Sequence, residues 1–150
     1  MISTRHSAGF DIAQPVEQVF PLFSPEGEKR WVSHWDYENV MGTTELSEDY
    51  VFLTRGHDHA TSDAIWLVKR YMPEVWLIQF YRVEPEDKIG VVTVQCSETG
   101  ERGTHVEVSY EYIAISDKGR EFVDGFTIES YEKFISEWKD LLVLHFESAG

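Results

Sequence analysis

Cysteine is nearly absent from the sequence, since Cys96 is the only one among 150 residues. An intrachain disulfide and a thiolate-rich metal site are therefore excluded. Long apolar runs are also absent, because no stretch approaches the roughly 18 consecutive apolar residues of a membrane-spanning helix. The first ten residues include Arg5 and His6 and no apolar run, so we expect no signal peptide. A cytoplasmic location without membrane insertion is the resulting prediction.

Positive charge is scarce. The chain has 13 Lys and Arg residues against 27 Asp and Glu residues, which gives a formal net charge of -14. Such a charge repels phosphate backbones, and no basic stripe in the sequence opposes it. We therefore expect no binding to nucleic acid or to an anionic membrane surface. High solubility is the simplest consequence of this charge.

Common catalytic and cofactor motifs are missing as well. The sequence has no Gly-x-Ser-x-Gly elbow, no phosphate-binding glycine-rich loop and no His-Glu-x-x-His zinc helix. Cys96 has apolar neighbours in a strand-like segment, where burial would raise the thiol pKa and make it unreactive. His57 and His59 could share a metal ion with a third ligand such as His34, but they stand among ordinary turn residues. We expect no metal and no cofactor.

Aromatic residues, in contrast, are abundant. They make up 14% of the chain, and hydrophobic residues make up 42%. These values and the chain length suit one soluble globular domain with a sizeable core. No repeat, low-complexity tract or linker interrupts residues 1–150, so a single domain is predicted. Aromatic rings fill cores, and they also line ligand pockets.

The predicted order of elements is one strand, two short helices, a run of strands and one long helix. A strand over residues 4–13 precedes Pro15, which suits the first position of a helix. Pro21 must shorten or kink that helix, and Ser24-Pro25 can begin a second short one. Further strands are predicted over residues 50–55, 62–71, 75–83, 88–97 and 104–115. Their short connections make neighbours antiparallel.

Alternation of side chains along the strands predicts which face is buried. The last two strands alternate most clearly, and their predicted inward residues are Thr104, Val106, Val108, Tyr110, Tyr112, Ala114, Val92, Val94 and Cys96. The two middle strands are apolar on both faces, and there we place inward Trp66, Val68, Trp76, Ile78 and Phe80. The opposite face would then carry Ile65, Leu67, Tyr71, Leu77 and Tyr81. Such an apolar outer face is a candidate homodimer surface.

Beyond Ser116 and Asp117, which can cap a helix, the apolar period changes to 3.6 residues. The stripe continues to about His145 and predicts one helix of roughly 28 residues. Gly119 and Gly125 lie near its start, and each weakens a helix by about 1 kcal/mol relative to Ala. They mark either a bend or a position of close packing.

The segments that are most typical of a known superfamily are residues 10–20 (FDIAQPVEQVF), Trp31, Trp35, residues 64–68 (AIWLV), residues 110–112 and 116–119, and the aromatic helix that reaches Trp138. In this order they resemble the START and birch-pollen-allergen (SRPBCC) superfamily, which includes polyketide cyclase and dehydrase relatives. The resemblance covers the whole chain. It implies an α+β helix-grip fold, with a curved antiparallel sheet around a long C-terminal helix and two short helices after the first strand. It also implies a hydrophobic cavity between sheet and helix.

Candidate residues for such a cavity come from the predicted inward faces and from the loop after the short helices. They are Trp31, Trp35, Trp66, Phe80, Arg82, Val92, Val94, Tyr110, Tyr112, Phe126 and Phe134. The alternative is that these side chains pack against one another as ordinary core. For the set together a cavity is favoured, because a curled sheet and one helix rarely fill the enclosed space.

Two functions follow from the resemblance. The first is binding of a hydrophobic small molecule, lipid- or polyketide-like, and the second is an aromatase/cyclase-like enzyme acting on a polyketide-type substrate. Arg82 and Arg70 both occupy strand positions that are predicted to point inward. Either could stand beside Tyr110 or Tyr112 and orient a ligand oxygen. Alternatively, both arginines reach solvent and pair with acidic residues 84–87. Polar groups converging in the cavity favour the enzyme, an apolar wall favours the carrier, and a closed core would favour a protein-interaction domain.

Overall fold

The computed structural model describes residues 2–56, 63–100 and 102–149. Strand β1 (Ser3–Ile12) leads into helix α1 (Val16–Val19), a 3-10 turn (Phe20–Phe23) and helix α2 (Pro25–Glu28). The strands that follow within the described residues are β2 (Tyr37–Glu38), β3 (Val51–Thr54), β4 (Ala64–Met72), β5 (Leu77–Glu84), β6 (Lys88–Thr99) and β7 (Gly103–Ala114). Helices α3 (Asp117–Gly125) and α4 (Ile128–Ala149) end the chain.

The seven strands form one sheet in the order β1-β7-β6-β5-β4-β3-β2. Every neighbouring pair is antiparallel. The N-terminal strand therefore lies beside the last one, and the hairpins run outward from there to β2. With α4 against the sheet and the short helices after β1, the predicted α+β architecture is confirmed.

The segment after β1 is shaped by its two prolines. Helix α1 ends after one turn, and the chain continues as the 3-10 turn that contains Pro21, as expected for proline inside a helical pattern. Ser24 caps α2, because its hydroxyl oxygen accepts a hydrogen bond from the Gly27 amide at 2.9 Å. The Trp31 indole N–H donates to the Leu22 carbonyl at 2.7 Å and ties the following loop to the turn.

The alternation of β6 and β7 is confirmed, since their predicted inward side chains, Ala114 aside, are buried: Val92, Val94, Cys96, Thr104, Val106, Val108, Tyr110 and Tyr112. Ala114 is partly buried against the core. Burial raises the pKa of the Cys96 thiol to about 12. A thiol that keeps its proton is a poor nucleophile, which agrees with the prediction that Cys96 is unreactive.

In the second half of β4, the residues predicted to point inward and outward are exchanged. A bulge between Val68 and Arg70 inserts an extra residue, so that Val68 pairs with Phe80 but Tyr71 pairs with Ile78. Tyr71 therefore turns inward and stacks on Phe20 with ring centroids 6.3 Å apart, whereas Arg70 is exposed. The predictions that placed Tyr71 outward and Arg70 inward are wrong for this reason.

Trp76 was also predicted on the inward face of a strand, and it stands instead before β5. It follows a 3-10 turn (Pro73–Val75) and has a left-handed backbone with φ 59. Its ring nevertheless packs edge-on against Phe20, with centroids 5.7 Å apart. The other residues predicted on the outer face of the sheet do lie there: Ile65, Leu67, Leu77 and Tyr81. Of these, Ile65 is the most exposed, at 42%.

The prediction of one continuous C-terminal helix of roughly 28 residues is wrong, because the chain leaves the helix at Phe126. Gly125 ends α3, and Thr127 begins the next helix by accepting the Ser130 amide on its hydroxyl oxygen at 3.2 Å. The break is fixed from β1, where His6 Nε2 donates to the Phe126 carbonyl at 2.8 Å. Gly119 instead marks close packing, since a Cβ there would lie 1.9 Å from the Asp87 carbonyl oxygen.

Helix α4, 22 residues long, turns one face toward the sheet. Its buried side chains are spaced at helical intervals and are Tyr131, Ile135, Trp138 and Leu142. The Tyr131 hydroxyl donates to the Val108 carbonyl in the middle of β7. This contact fixes α4 across the inner face of the sheet, and the space on either side of it is where a cavity can form.

A candidate ligand cavity between the sheet and the last helix

A cavity of about 280 Å³ lies between the inner face of the sheet, α4 and the loop after α2. Its wall is formed by Glu28, Val32, Trp35, Trp66, Arg82, Tyr110, Tyr112, Phe134 and Trp138. Phe134 is 40% exposed and so marks where the cavity meets the surface. Six of the nine wall residues are aromatic, which makes the cavity suited to a flat, apolar molecule.

One half of the wall is built around Tyr110. Its ring meets Phe134 edge-on with centroids 5.6 Å apart, and it lies 5.8 Å from Tyr112 and 6.3 Å from Trp138. The edge-to-face contacts with Phe134 and Trp138 stabilise this cluster beyond simple burial. The strand positions of Tyr110 and Tyr112 thus present two neighbouring rings to the same space.

The other half is formed by two tryptophans whose polar atoms are already bonded. Trp35 and Trp66 meet edge-on at 6.0 Å. The Trp35 indole N–H donates to the Pro25 carbonyl at 2.8 Å, and that of Trp66 donates to the Thr54 hydroxyl at 2.9 Å. Because both N–H groups are used in this way, the two indoles offer mainly apolar surface to the cavity.

Arg82 is the positively charged residue of the wall. Its Nη1 atom donates to Glu84 Oε2 at 2.9 Å, and its guanidinium carbon lies 5.6 Å from the centre of the Trp66 ring. Lys88 Nζ lies 3.0 Å from the same Glu84 oxygen. The guanidinium is therefore held in place by the Glu84 carboxylate on one side and the Trp66 ring on another.

Room for this arrangement comes from Gly90, which stands between Arg82 and Tyr112 in the sheet register. A Cβ at this position would lie 3.0 Å from Tyr112 Cε1, closer than ordinary van der Waals contact. The absence of a side chain therefore lets the Tyr112 ring pack closely against β6.

Glu28 is the acidic residue of the wall. Within residues 2–56, 63–100 and 102–149, its carboxyl group has no hydrogen-bond or ion-pair partner. Desolvation raises the pKa of this carboxyl well above its usual range. A carboxyl in such surroundings favours its neutral form, because the charged form has lost water without gaining a partner.

The hydroxyls of Tyr110 and Tyr112 also have no protein hydrogen-bond partner in the described part of the chain. Burial raises the pKa of Tyr110 well above its usual range. It raises the pKa of Tyr112 to about 12, while the Arg82 charge acts in the opposite direction. Both hydroxyls therefore keep their protons and remain available as hydrogen-bond donors.

The structure brings six of the eleven sequence candidates together at the cavity: Trp35, Trp66, Arg82, Tyr110, Tyr112 and Phe134. The other five lie away from its wall. Phe80, Val92 and Val94 are buried in the sheet core, and Trp31 is buried between Phe23 and Trp138. Phe126 lies at the helix break, with its ring 4.9 Å from that of Tyr112.

Sequence reasoning missed Glu28, Val32 and Trp138 as wall residues. Glu28 is the last residue of the four-residue helix α2, where a charged side chain is ordinarily solvated. A signal was present, because Glu28, Val32 and Trp35 follow at i, i+4 and i+7, and the Val32 amide bonds the Glu28 carbonyl at 2.9 Å. The helical spacing of these side chains therefore continues for one turn beyond the end of α2.

The proposed histidine cluster receives no structural account, since His57 and His59 lie outside the described residues. Within the described ranges, no group of three or more His, Cys, Asp or Glu side chains is placed to hold a metal ion. No helix in that part of the chain is long and apolar enough to cross a membrane.

No family model and no curated protein matches the sequence. Solved structures do match it. Ginseng major latex-like protein 151 from Panax ginseng has a TM-score of 0.70 at 17% identity, over 97% of this chain and 98% of that one. Norcoclaurine synthase from Thalictrum flavum, in complex with dopamine and hydroxybenzaldehyde, has a TM-score of 0.67 at 13% identity, over 96% and 88%. The Mll3558 protein from Rhizobium loti has a TM-score of 0.66 at 14% identity, over 96% and 97%.

These matches cover nearly the whole chain at low identity, and they establish its fold. The protein has the helix-grip fold, as its sequence predicted. The fold is shared by proteins of different activity. The function of this chain must therefore be argued from its own cavity.

Proposed function

We propose that this protein binds a small, largely aromatic molecule in the cavity between the sheet and α4. The observation that carries this proposal is the wall itself, in which six aromatic side chains line a space of about 280 Å³. Aromatic walls with a few polar groups are the usual composition of small-molecule sites. The presence of a cavity argues against an interaction domain with a closed core.

The size of the cavity limits the ligand. Drug-sized ligands occupy cavities of about 300–1,000 Å³, and this one lies just below that range at about 280 Å³. A molecule of one or two rings suits it better than a long acyl chain. Among the structural relatives, norcoclaurine synthase was solved with dopamine and hydroxybenzaldehyde, which are molecules of this size.

Native mass spectrometry of protein purified from its host tests the proposal, because a tightly bound natural ligand would appear as added mass that is lost on unfolding. A fluorescence titration with two-ring aromatic compounds tests it independently, since Trp35, Trp66 and Trp138 line the cavity. Saturable quenching is the expected result. Neither a co-purified ligand nor saturable quenching by any compound in the series would contradict the proposal.

A pair of variants locates the binding. Val32→Phe adds a ring at a wall position and should weaken aromatic binding about tenfold or more by filling the cavity. Val143→Phe makes the same substitution on α4 at an exposed position away from the wall and should leave binding unchanged. Equal effects of the two substitutions would place the binding elsewhere.

The second candidate function is an aromatase/cyclase-like enzyme, and the polar side chains on the wall favour it. Arg82, Tyr110, Tyr112 and Glu28 all face the cavity. However, Arg82 bonds Glu84 rather than either tyrosine, so the expected Arg–Tyr pair is not formed in the described chain. Turnover of a polyketide-type substrate that is lost in Tyr110→Phe would establish the enzymatic function.

Two other expectations stay proposals. A homodimer through the outer sheet face would bury Ile65, Leu67, Leu77 and Tyr81, and a monomeric mass in light scattering at micromolar concentration would exclude it. A cytoplasmic location also stays a prediction, which microscopy of the tagged protein in its host can test.

A further inference from the structure

The cavity wall holds more hydrogen-bond donors than the protein uses. Arg82 uses Nη1 for Glu84, while its Nε and Nη2 groups have no acceptor in the described chain. The hydroxyls of Tyr110 and Tyr112 are unpartnered there as well. These donors face the cavity and have no protein acceptor, so a bound molecule that supplies acceptors would gain hydrogen bonds from them.

Glu28 can act as a further donor in its neutral form. Arg82 is the cation that shares the wall with it, and Arg82 is bonded to Glu84 instead. The other titratable side chains on the wall are Tyr110 and Tyr112, and α4 contributes only Phe134 and Trp138. Glu28 is half-buried and has no charge partner, so loss of water favours its neutral form, which presents an O–H group.

Two cations and one carboxylate meet at the side of the cavity that holds Arg82. Arg82 and Lys88 share the single carboxylate of Glu84, at 2.9 and 3.0 Å. The three side chains together carry a net charge of about +1, and those of Glu84 and Lys88 are nearly buried. An anionic group on the ligand would pair with Arg82, whereas an ammonium group would face this positive charge.

We propose that the cavity selects aromatic carboxylates, with Arg82 as the charge partner of the ligand and with Glu28 and the hydroxyls of Tyr110 and Tyr112 as hydrogen-bond donors to it. This inference rests on the proposed function and narrows it to a ligand class. The ligand ring would lie among the aromatic side chains, and its carboxylate oxygens would accept from Arg82, Glu28 and the tyrosine hydroxyls. Arginine suits this task because its guanidinium can pair with a carboxylate through two N–H groups.

A matched series of ligands tests the selection. Dissociation constants are measured by calorimetry for 2-naphthoate, 2-methylnaphthalene and 2-naphthylmethylamine, which share a ring system and differ in charge. The carboxylate should bind at least tenfold more tightly than the other two, because hydrogen bonds to a charged group are stronger. Tighter binding of the hydrocarbon or the amine would overturn the inference and leave aromatic binding intact. Binding of none of the three would instead count against the proposed function.

Substitutions at Arg82 and Glu28 test the two roles separately. Arg82→Met should weaken 2-naphthoate binding about tenfold or more and leave 2-methylnaphthalene within about threefold. Glu28→Gln keeps a neutral donor and should leave 2-naphthoate binding within about threefold, whereas Glu28→Met should weaken it about tenfold. If Glu28 were ionised, Glu28→Gln would remove a repulsive charge and tighten carboxylate binding strongly, which would overturn its assignment as a donor.

The matched control is Glu132→Gln, an exposed substitution of the same kind on α4 outside the wall. It should change none of the three affinities. Thermal unfolding of each variant, measured alongside, shows whether the fold is kept. An Arg82→Met protein that is folded and binds the carboxylate and the hydrocarbon with unchanged preference would contradict the inference directly.

Discussion

Nη1 of Arg82 lies 2.9 Å from Oε2 of Glu84, and this same oxygen also holds Nζ of Lys88 at 3.0 Å. The side chains of Glu84 and Lys88 are only 5% and 8% exposed, and that of Arg82 is 20% exposed. Lys88 Nζ lies 3.9 Å from the centre of the Phe122 ring. One carboxylate thus links the charged side of the cavity to the turn between β5 and β6 and to α3.

Glu84→Gln should therefore destabilise the protein by about 3 kcal/mol, because two largely buried cations lose their shared counter-charge. Glu86→Gln, an exposed neighbour in the same turn, should change stability by no more than about 0.5 kcal/mol. Urea unfolding of the two variants and the parent gives the comparison. Similar small losses in both would mean that Glu84 contributes no more than a surface residue.

Two tyrosines provide a matched comparison of bonded and unbonded hydroxyls. Tyr131→Phe should lose about 1–2 kcal/mol, because the Val108 carbonyl loses a buried donor. Tyr112→Phe should be nearly neutral for stability, because its hydroxyl bonds no group in the described chain. Guanidinium unfolding distinguishes the two. A large loss in Tyr112→Phe would show that this hydroxyl has a structural role rather than being available to a ligand.

Stability should depend on pH through His105. Its ring lies between Glu107 Oε1 at 2.9 Å and Asp11 Oδ1 at 2.7 Å, and hydrogen bonds to Glu107 and Asp11 raise the pKa of His105. A raised folded-state pKa stabilises the fold fully below the unfolded value of about 6.5, and this stabilisation is lost as pH rises through the folded value. The His105→Gln variant should therefore be destabilised more at pH 6 than at pH 9.

Unfolding by urea at those two pH values, in parent and variant, measures this difference. The effect should be small, because all three side chains are more than a third exposed. Glu107 stays ionised throughout this window, since its pKa is lowered by His105 and so lies below it. A variant whose destabilisation grows as pH rises would contradict the assignment.

How well the sequence predicts this structure differs between strands. In β6 and β7 polar and apolar residues alternate cleanly, so the inward positions of Val92, Val94, Tyr110 and Tyr112 follow from the pattern alone. In β4 both faces are apolar, so alternation has no polar residues to distinguish them. The bulge after Val68 then exchanges the faces, and nothing in a run of apolar and basic residues indicates where an extra residue is inserted.

The cavity was harder to predict than the sheet, because it depends on contacts between distant segments. Alternation gives Tyr110 and Tyr112 a face, but it does not tell whether another inward ring lines the cavity, as Trp66 does, or is buried in the core, as Phe80 is. Whether Glu28 reaches the cavity depends on the position of the short helix α2 that carries it. The helix break at Phe126 depends on His6, which is 120 positions away along the chain.

The central claim is that the space beside Trp35, Trp66 and Trp138 receives an aromatic ligand, and the indole N–H signals of nitrogen-15-labelled protein test it most directly. The protein has five tryptophans, and Trp76 lies away from this cavity against Phe20. Saturating 2-naphthoate should shift the assigned signals of the three wall tryptophans and leave that of Trp76 unchanged. Unshifted wall tryptophans, or a shift of Trp76 as large as theirs, would contradict the account.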